Sequence, residues 1–181
     1  MLVPSYYFDT VYDIPMELLK KENVRCVLLD IDNTLVPYDV PEPTEENRAW
    51  FKLLAENGIR VIFISNNHEP ERVTRYAASL DFPFLYRAGK PLTGKIRTLL
   101  KEYHIALDGC MVIGDQIFTD VLAASNLGVK SILVRSIKDV QTAFFRFKRF
   151  FERPFVRIGK KRMAHFSLKN SSNSSFHGGV Q

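Results

Sequence analysis

Short apolar runs alternate along this chain with stretches whose apolar positions recur at helical spacing. The runs predict strands at Val24–Asp30, Arg60–Ser65, Cys110–Gly114 and Ser131–Val134, with a shorter extended piece at Phe82–Tyr86. Helical spacing predicts helices over Pro70–Leu80, Thr93–Tyr103 and Ile117–Leu127, and another after Thr44. Thr44 suits an N-cap, and Glu45 and Glu46 suit the positive end of that helix dipole. Ala49, Trp50, Leu53 and Leu54 give the helix an apolar face, and Gly58 can end it. Strands alternating with helices predict an α/β fold, a parallel sheet with helices on both faces.

Polar residues gather where the strands stop. Asp30 and Asp32 end one, Ser65, Asn66 and Asn67 end a second, and Asp115 ends a third. Sheets of this kind bind ligands beyond the carboxyl ends of their strands. Two carboxylates at a buried strand end are costly unless their charge is offset, and a divalent cation with a phosphate can offset it. Two residues apart on a strand, Asp30 and Asp32 share a face and can converge. Each cluster also has a plain reading by itself. Ser65–Asn67 would serve as a strand-terminating turn, Lys90 as a solvated lysine and Asp120 as a helix-surface carboxylate.

Composition narrows the class. The 181 residues fit one domain, and 46% hydrophobic with 25% charged residues is ordinary for a globular protein. No apolar run is long enough to span a bilayer, and the N-terminus lacks the basic and apolar regions of a secretory signal. Cys26 and Cys110 both open predicted strands and lack metal-ligand spacing, so they are expected as buried thiols in a reducing cytoplasm. The net charge of +5 is unevenly placed. Residues 1–140 carry 16 basic and 19 acidic side chains, whereas residues 141–181 carry nine basic and one acidic.

The motifs Asp30-Ile-Asp32-Asn-Thr34, Ser65-Asn66-Asn67, Lys90-Pro91 and Gly114-Asp115-Gln116 with Thr119-Asp120, in this order, resemble the haloacid dehalogenase (HAD) superfamily of phosphohydrolases. GDQ-x-x-TD without a cap resembles subfamily IIIA. Pro4, Tyr6–Tyr7, DIDNTLVPYD, SNN, GKP and GDQIFTDVLAASNLG narrow the resemblance to the YqeG group, related to phosphatidylglycerophosphate phosphatase. The resemblance implies a Rossmann-like core and assigns roles. Asp30 would attack phosphorus and carry the phosphoryl group as an aspartyl-phosphate. Asp32 would protonate the leaving oxygen and then accept a proton from water. Ser65 and the Asn66 backbone N–H would bind phosphoryl oxygens, with Thr34 and Asn67 also on the substrate side. Lys90 would neutralise the transferring group. Mg²⁺ would sit on Asp115, the Asp30 carboxylate and the Asp32 carbonyl, with Asp120 acting beyond them or through water.

Spacing constrains the substrate. Only 32 residues separate Asp32 from Ser65, and 22 separate Asn67 from Lys90. Neither gap holds an inserted cap domain, so the site should be open. An open site favours a large or anchored phosphomonoester and argues against a phosphomutase. The tail bears on the same question. Over Lys138–Arg153, Val140, Phe144, Phe147 and Phe151 share a helical face, with Arg146, Arg149 and Arg153 opposite. Pro154 closes a domain expected at 1–154, and a basic tail spans 155–181. The Phe stripe suits packing against the sheet, contact with an anionic membrane surface, or RNA binding. The expected location is the cytoplasm, with peripheral membrane contact as the tail's contribution. The Asn/Ser/Gly-rich end, Asn170–Gln181, is expected to be disordered.

Overall fold

A computed structural model describes residues 2–138; all but the first residue of the helix expected at Lys138–Arg153, and the basic tail, lie outside the described residues. Within the described residues six strands form one sheet: β1 (Tyr6–Phe8), β2 (Cys26–Leu29), β3 (Arg60–Ile64), β4 (Phe84–Leu85), β5 (Cys110–Gly114) and β6 (Lys130–Val134). Their order is β1-β6-β5-β2-β3-β4, and every pairing is parallel. Among the described residues five α-helices accompany them: α1 (Met16–Lys21), α2 (Glu45–Glu56), α3 (Pro70–Ala78), α4 (Gly94–Glu102) and α5 (Leu122–Leu127).

The continuous apolar runs arise because both sheet faces are covered. Odd-numbered positions such as Val27, Leu29, Val61 and Phe63 meet Leu19 of α1, Trp50 and Leu54 of α2, and Val73 and Tyr76 of α3. Even-numbered positions such as Cys26, Leu28, Ile62 and Ile64 meet Ile96 and Leu100 of α4 and Ala124 and Leu127 of α5. Cys26 and Cys110 are free, buried and directly opposite each other in register, as small core residues.

Thr44 does cap α2. Its hydroxyl accepts from the Asn47 N–H at 3.2 Å, and the Asn47 side chain returns the bond to the Thr44 N–H at 3.0 Å. Gly58, at φ +71°, follows the end of that helix in the left-handed conformation a side chain resists.

The helix expected at Thr93–Tyr103 is α4, and the Lys90–Pro91 peptide before it is cis. Three details differ from the sequence expectation. The run Val24–Asp30 forms a strand only over Cys26–Leu29, so Asp30 and Asp32 stand beyond the sheet. The helix expected at Ile117–Leu127 starts with a π-helical turn over Ile117–Val121 before α5. Finally, β1 and α1 add an N-terminal layer that apolar patterning did not indicate.

Candidate active site

β2 sits at the point where the chain's winding reverses. From it the connections run outward through β3 to β4, then cross back to β5 on its other side. The carboxyl ends of β2 and β5 therefore flank a crevice, and Asp30 and Asp115 project there. The Asp30 N–H donates to the Ile113 carbonyl at 3.0 Å, which ties the two strand ends together.

Four buried charged side chains meet in this crevice. The Lys90 ammonium donates to Asp30 Oδ1 at 2.7 Å and to Asp120 Oδ1 at 2.6 Å. Asp115 completes the group, and oxygens of Asp30, Asp115 and Asp120 lie within 4.8 Å of one another. The π turn explains why Asp120, five residues past Asp115, points back to the strand end. Its Oδ2 accepts from the Gln116 N–H at 3.1 Å and from the Thr119 hydroxyl at 3.3 Å.

Gly114 makes this approach possible. A Cβ on Gly114 would lie 2.3 Å from Asp120 Cγ and 2.6 Å from Asp120 Cβ. Because Lys90 and the Gln116 N–H fix that carboxylate, it has little freedom to yield. Gly114→Ala is expected to cost about 1–3 kcal/mol of stability by overpacking and to depress turnover. A denaturant midpoint and turnover both matching the wild type would show that Asp120 has room to move.

One lysine faces three carboxylates, and the imbalance appears in the proton affinities of Asp30 and Asp115. Burial, opposed by Lys90 and reinforced by Asp120, pushes Asp30 up to about 7. Burial, with the Asp30 and Asp120 charges added, pushes Asp115 up to about 8. Burial alone would lower Lys90, but Asp120 and Asp30 outweigh it and hold its ammonium above the ordinary lysine value. Asp115 Oδ1 is buried with no hydrogen-bond partner among the described residues. An unpartnered carboxylate oxygen in a cluster with excess negative charge fits a divalent cation, and an all-oxygen donor set fits Mg²⁺.

This fit has a thermodynamic consequence. Carboxyls whose pKa is raised on folding bind more protons in the folded state than in the unfolded state. Their contribution to stability is present at low pH and is lost as pH rises from about 4 through about 8. Mg²⁺ competes with those protons. At saturation it should raise the melting temperature by roughly 5–10 °C at pH 8 and much less at pH 5. Equal shifts at both pH values would contradict binding at these carboxylates.

The other expected site residues surround the cluster. The Thr34 hydroxyl donates to Asp30 Oδ2 at 3.2 Å, so it orients Asp30. Asn66 grips the Lys90 backbone at two points, accepting from its N–H and donating to its carbonyl, both at 2.8 Å. The buried Ser65 hydroxyl accepts from the Asn67 N–H at 3.0 Å. The Asn67 amide, expected on the substrate side, donates instead to Asp32 Oδ2 at 2.9 Å.

The Asp32 carboxylate is near enough for its charge to act on Asp30 but has partners of its own. Because the strand has already ended, the chain turns through Asn33 at φ +63°, and the Asp32 carboxylate enters a different set of partners from Asp30. Its Oδ1 accepts from Arg72 at 3.0 Å, a residue the sequence reading passed over. The Asp32 carboxylate is outside the three-carboxylate cluster, so its expected metal role rests on its backbone carbonyl alone. No inserted domain covers the crevice among the described residues.

Comparison with known proteins agrees with this arrangement. Residues 87–143 match a family model described as HAD-hydrolase-like. The chain is 34% identical over 160 residues to "Probable phosphatase YqeG" of Bacillus subtilis (strain 168), covering 88% of this chain and 92% of that protein. A hypothetical protein from Xanthomonas campestris has a similar structure, with a TM-score of 0.51 and 21% identity over 69% of this chain and 72% of its own. An uncharacterized protein from Listeria monocytogenes serotype 4b also has a TM-score of 0.51, at 12% identity over 66% of this chain and 85% of its own. At these identities the two structures share the fold alone.

Proposed function

Since the chain belongs to the HAD-like hydrolases and is a phosphatase, we propose that it cleaves phosphomonoesters through an aspartyl-phosphate on Asp30, with Mg²⁺ held by the buried carboxylates. The observation that carries this reading is the junction of Asp30, Lys90, Asp120 and the half-unpartnered Asp115 at the β2 and β5 ends.

Each residue has work to do there. Asp30, oriented by Thr34, presents an oxygen to phosphorus and displaces the alcohol. Lys90, fixed through its backbone by Asn66, puts a permanent positive charge where phosphoryl oxygens gather charge. Asp32, two residues past Asp30 and 18% exposed, gives the departing oxygen a proton. It then takes one from the water that breaks the acyl phosphate. Ser65 and the Asn66 N–H hold phosphoryl oxygens. When bound, Mg²⁺ at Asp30, Asp115, Asp120 and the Asp32 carbonyl supplies charge neutralisation for nucleophile and phosphate together.

For the substrate we propose a membrane-anchored phosphomonoester, with phosphatidylglycerophosphate as the leading candidate. The uncapped crevice supports a large substrate. The position of the chain's exit supports a membrane surface. The Ile137 N–H donates to the Asn33 carbonyl at 2.9 Å, and Lys138 pairs with Asp39 at 2.8 Å. The basic residues 141–181 therefore follow a segment tied to the loop that bears Asp32. No described helix is long and apolar enough to cross a membrane, so contact would be peripheral.

Phosphate release should be measured from phosphatidylglycerophosphate in anionic vesicles and from soluble sugar, nucleotide and nucleic-acid-terminal phosphates. Preference for the vesicles is expected. Release from the soluble pool alone would move the substrate assignment to metabolites or nucleic-acid ends. Silence from both pools in folded protein would favour a non-catalytic RNA- or membrane-binding role.

A further inference from the structure

Arg72 is out of place for a surface arginine. It occupies the third residue of α3, in the first turn, where the helix dipole disfavours a cation. Its side chain is only 8% exposed. Its Nε and Nη1 are buried without hydrogen-bond partners among the described residues. The guanidinium lies 5.7 Å from the Tyr76 ring centroid, and Nη2 also reaches the Pro37 carbonyl at 3.5 Å. Its strong contact is the ion pair with Asp32 Oδ1 at 3.0 Å. A buried cation in an unfavourable helix position, with one carboxylate to offset it, is costly unless that pairing does something.

What the pairing does is visible from the carboxylate's side. Asp32 lies beyond the end of β2, paired only with Val36 in an isolated bridge, so no neighbouring strand of the sheet flanks its side chain. Arg72 takes Oδ1, and Asn67 takes Oδ2 at 2.9 Å. Asn67 is fixed in turn, because its Oδ1 accepts from the Glu69 N–H at 2.8 Å. Two donors, one from each side, define the plane of the carboxylate. We infer that Arg72 is a positioning residue that aims the Asp32 carboxyl at the leaving oxygen, and that Asn67 is its counterpart. The inference rests on the proposed role of Asp32 as proton donor to that oxygen.

The test uses the leaving group. An aryl phosphate such as p-nitrophenyl phosphate releases a stable phenolate and needs little help from an acid. An alkyl phosphate such as glycerol phosphate releases an alkoxide and depends on it. kcat/KM reports the steps up to alcohol release, so it isolates this half of the reaction. In the full-length Arg72→Met protein, kcat/KM should fall about 30–100-fold with the alkyl ester, the scale of a misaimed catalytic group. It should stay within about threefold with the aryl ester. Arg72→Lys should restore part of the alkyl activity, and Asn67→Ala should repeat the leaving-group pattern. In an Asp32→Asn background, Arg72→Met should add no further loss.

Equal losses with both esters, or full additivity with Asp32→Asn, would overturn the inference. If Arg72→Met fails to fold, Arg72→Lys and Asn67→Ala carry the same comparison. The two readings fail differently. Asp32→Asn without leaving-group dependence would remove the proposed role of Asp32, whereas dependence in Asp32→Asn but not in the Arg72 and Asn67 variants would remove only their positioning role.

Discussion

Asp30→Asn is expected to lower phosphomonoesterase turnover by roughly 10⁴-fold or more while leaving the fold intact. The amide keeps the shape of the carboxylate. Its oxygen can still accept from Lys90, and its NH₂ can donate to the Thr34 hydroxyl, which now lends hydrogen bonds to Asp30. What disappears is the nucleophile. The variant also removes one of three buried carboxylates that share a single lysine. Burial already pushes Asp30 toward its neutral form, so the metal-free variant should melt at the wild-type temperature or above it. Its Mg²⁺-induced shift should shrink, because a cation ligand has been lost. Loss of turnover with the melting temperature held or raised assigns Asp30 to chemistry. Retained turnover would require another nucleophile.

Lys90→Met should be as damaging to catalysis and far more damaging to the fold. The methionine fills similar space but leaves Asp30 and Asp120 buried without the ammonium that joins them at 2.7 and 2.6 Å. Removing one partner of a buried ion pair costs about 3–5 kcal/mol. Here the lysine serves two carboxylates, so the upper part of that range is expected at neutral pH. Acidification should recover part of the loss. Without Lys90, Asp30 and Asp115, which burial already pushes up, take up protons even more readily, and the variant's stability falls as pH rises above the ordinary carboxylate range. Turnover should drop by at least about 10³-fold, the scale of removing charge stabilisation from a transferring group. Urea unfolding at pH 5 and pH 8 measures the first effect. Stability at pH 8 equal to the wild type would contradict a tightly coupled lysine.

The strands that form the sheet's centre were legible because burial on both faces forces continuous apolar runs, as in Cys26–Leu29 and Arg60–Ile64. β1 was not, because three half-buried residues at the sheet edge leave neither a run nor an alternation to detect. Asp30, Ser65 and Asp115 stood out as polar residues at strand ends, whereas Lys90 and Asp120 became site residues only through the resemblance to the HAD superfamily, since alone each reads as a surface charge. The division of labour in the crevice was less legible. Asp30 and Asp32 both lie past the end of β2 at Leu29, so the two-residue period of a strand did not fix which partners each would take. Arg72 carried a faint signal, a cation in the first turn of a predicted helix, but on sequence terms a charged helix residue is most simply solvated. Its role depends on a contact 40 residues away, with Asp32. The same holds for Asn66, whose grip on Lys90 spans 24 residues.

The most direct measurement is a rapid-quench experiment with an aryl phosphate on the Asp32→Asn protein in the presence of Mg²⁺. The aryl ester needs little acid for the first step, whereas breakdown of an acyl phosphate lacks its base. One equivalent of phenol should be released in a burst, and the peptide containing Asp30 should gain the mass of one phosphoryl group that hydroxylamine removes. Turnover by the wild type, together with neither burst nor modified Asp30 in the variant, would contradict the aspartyl-phosphate account.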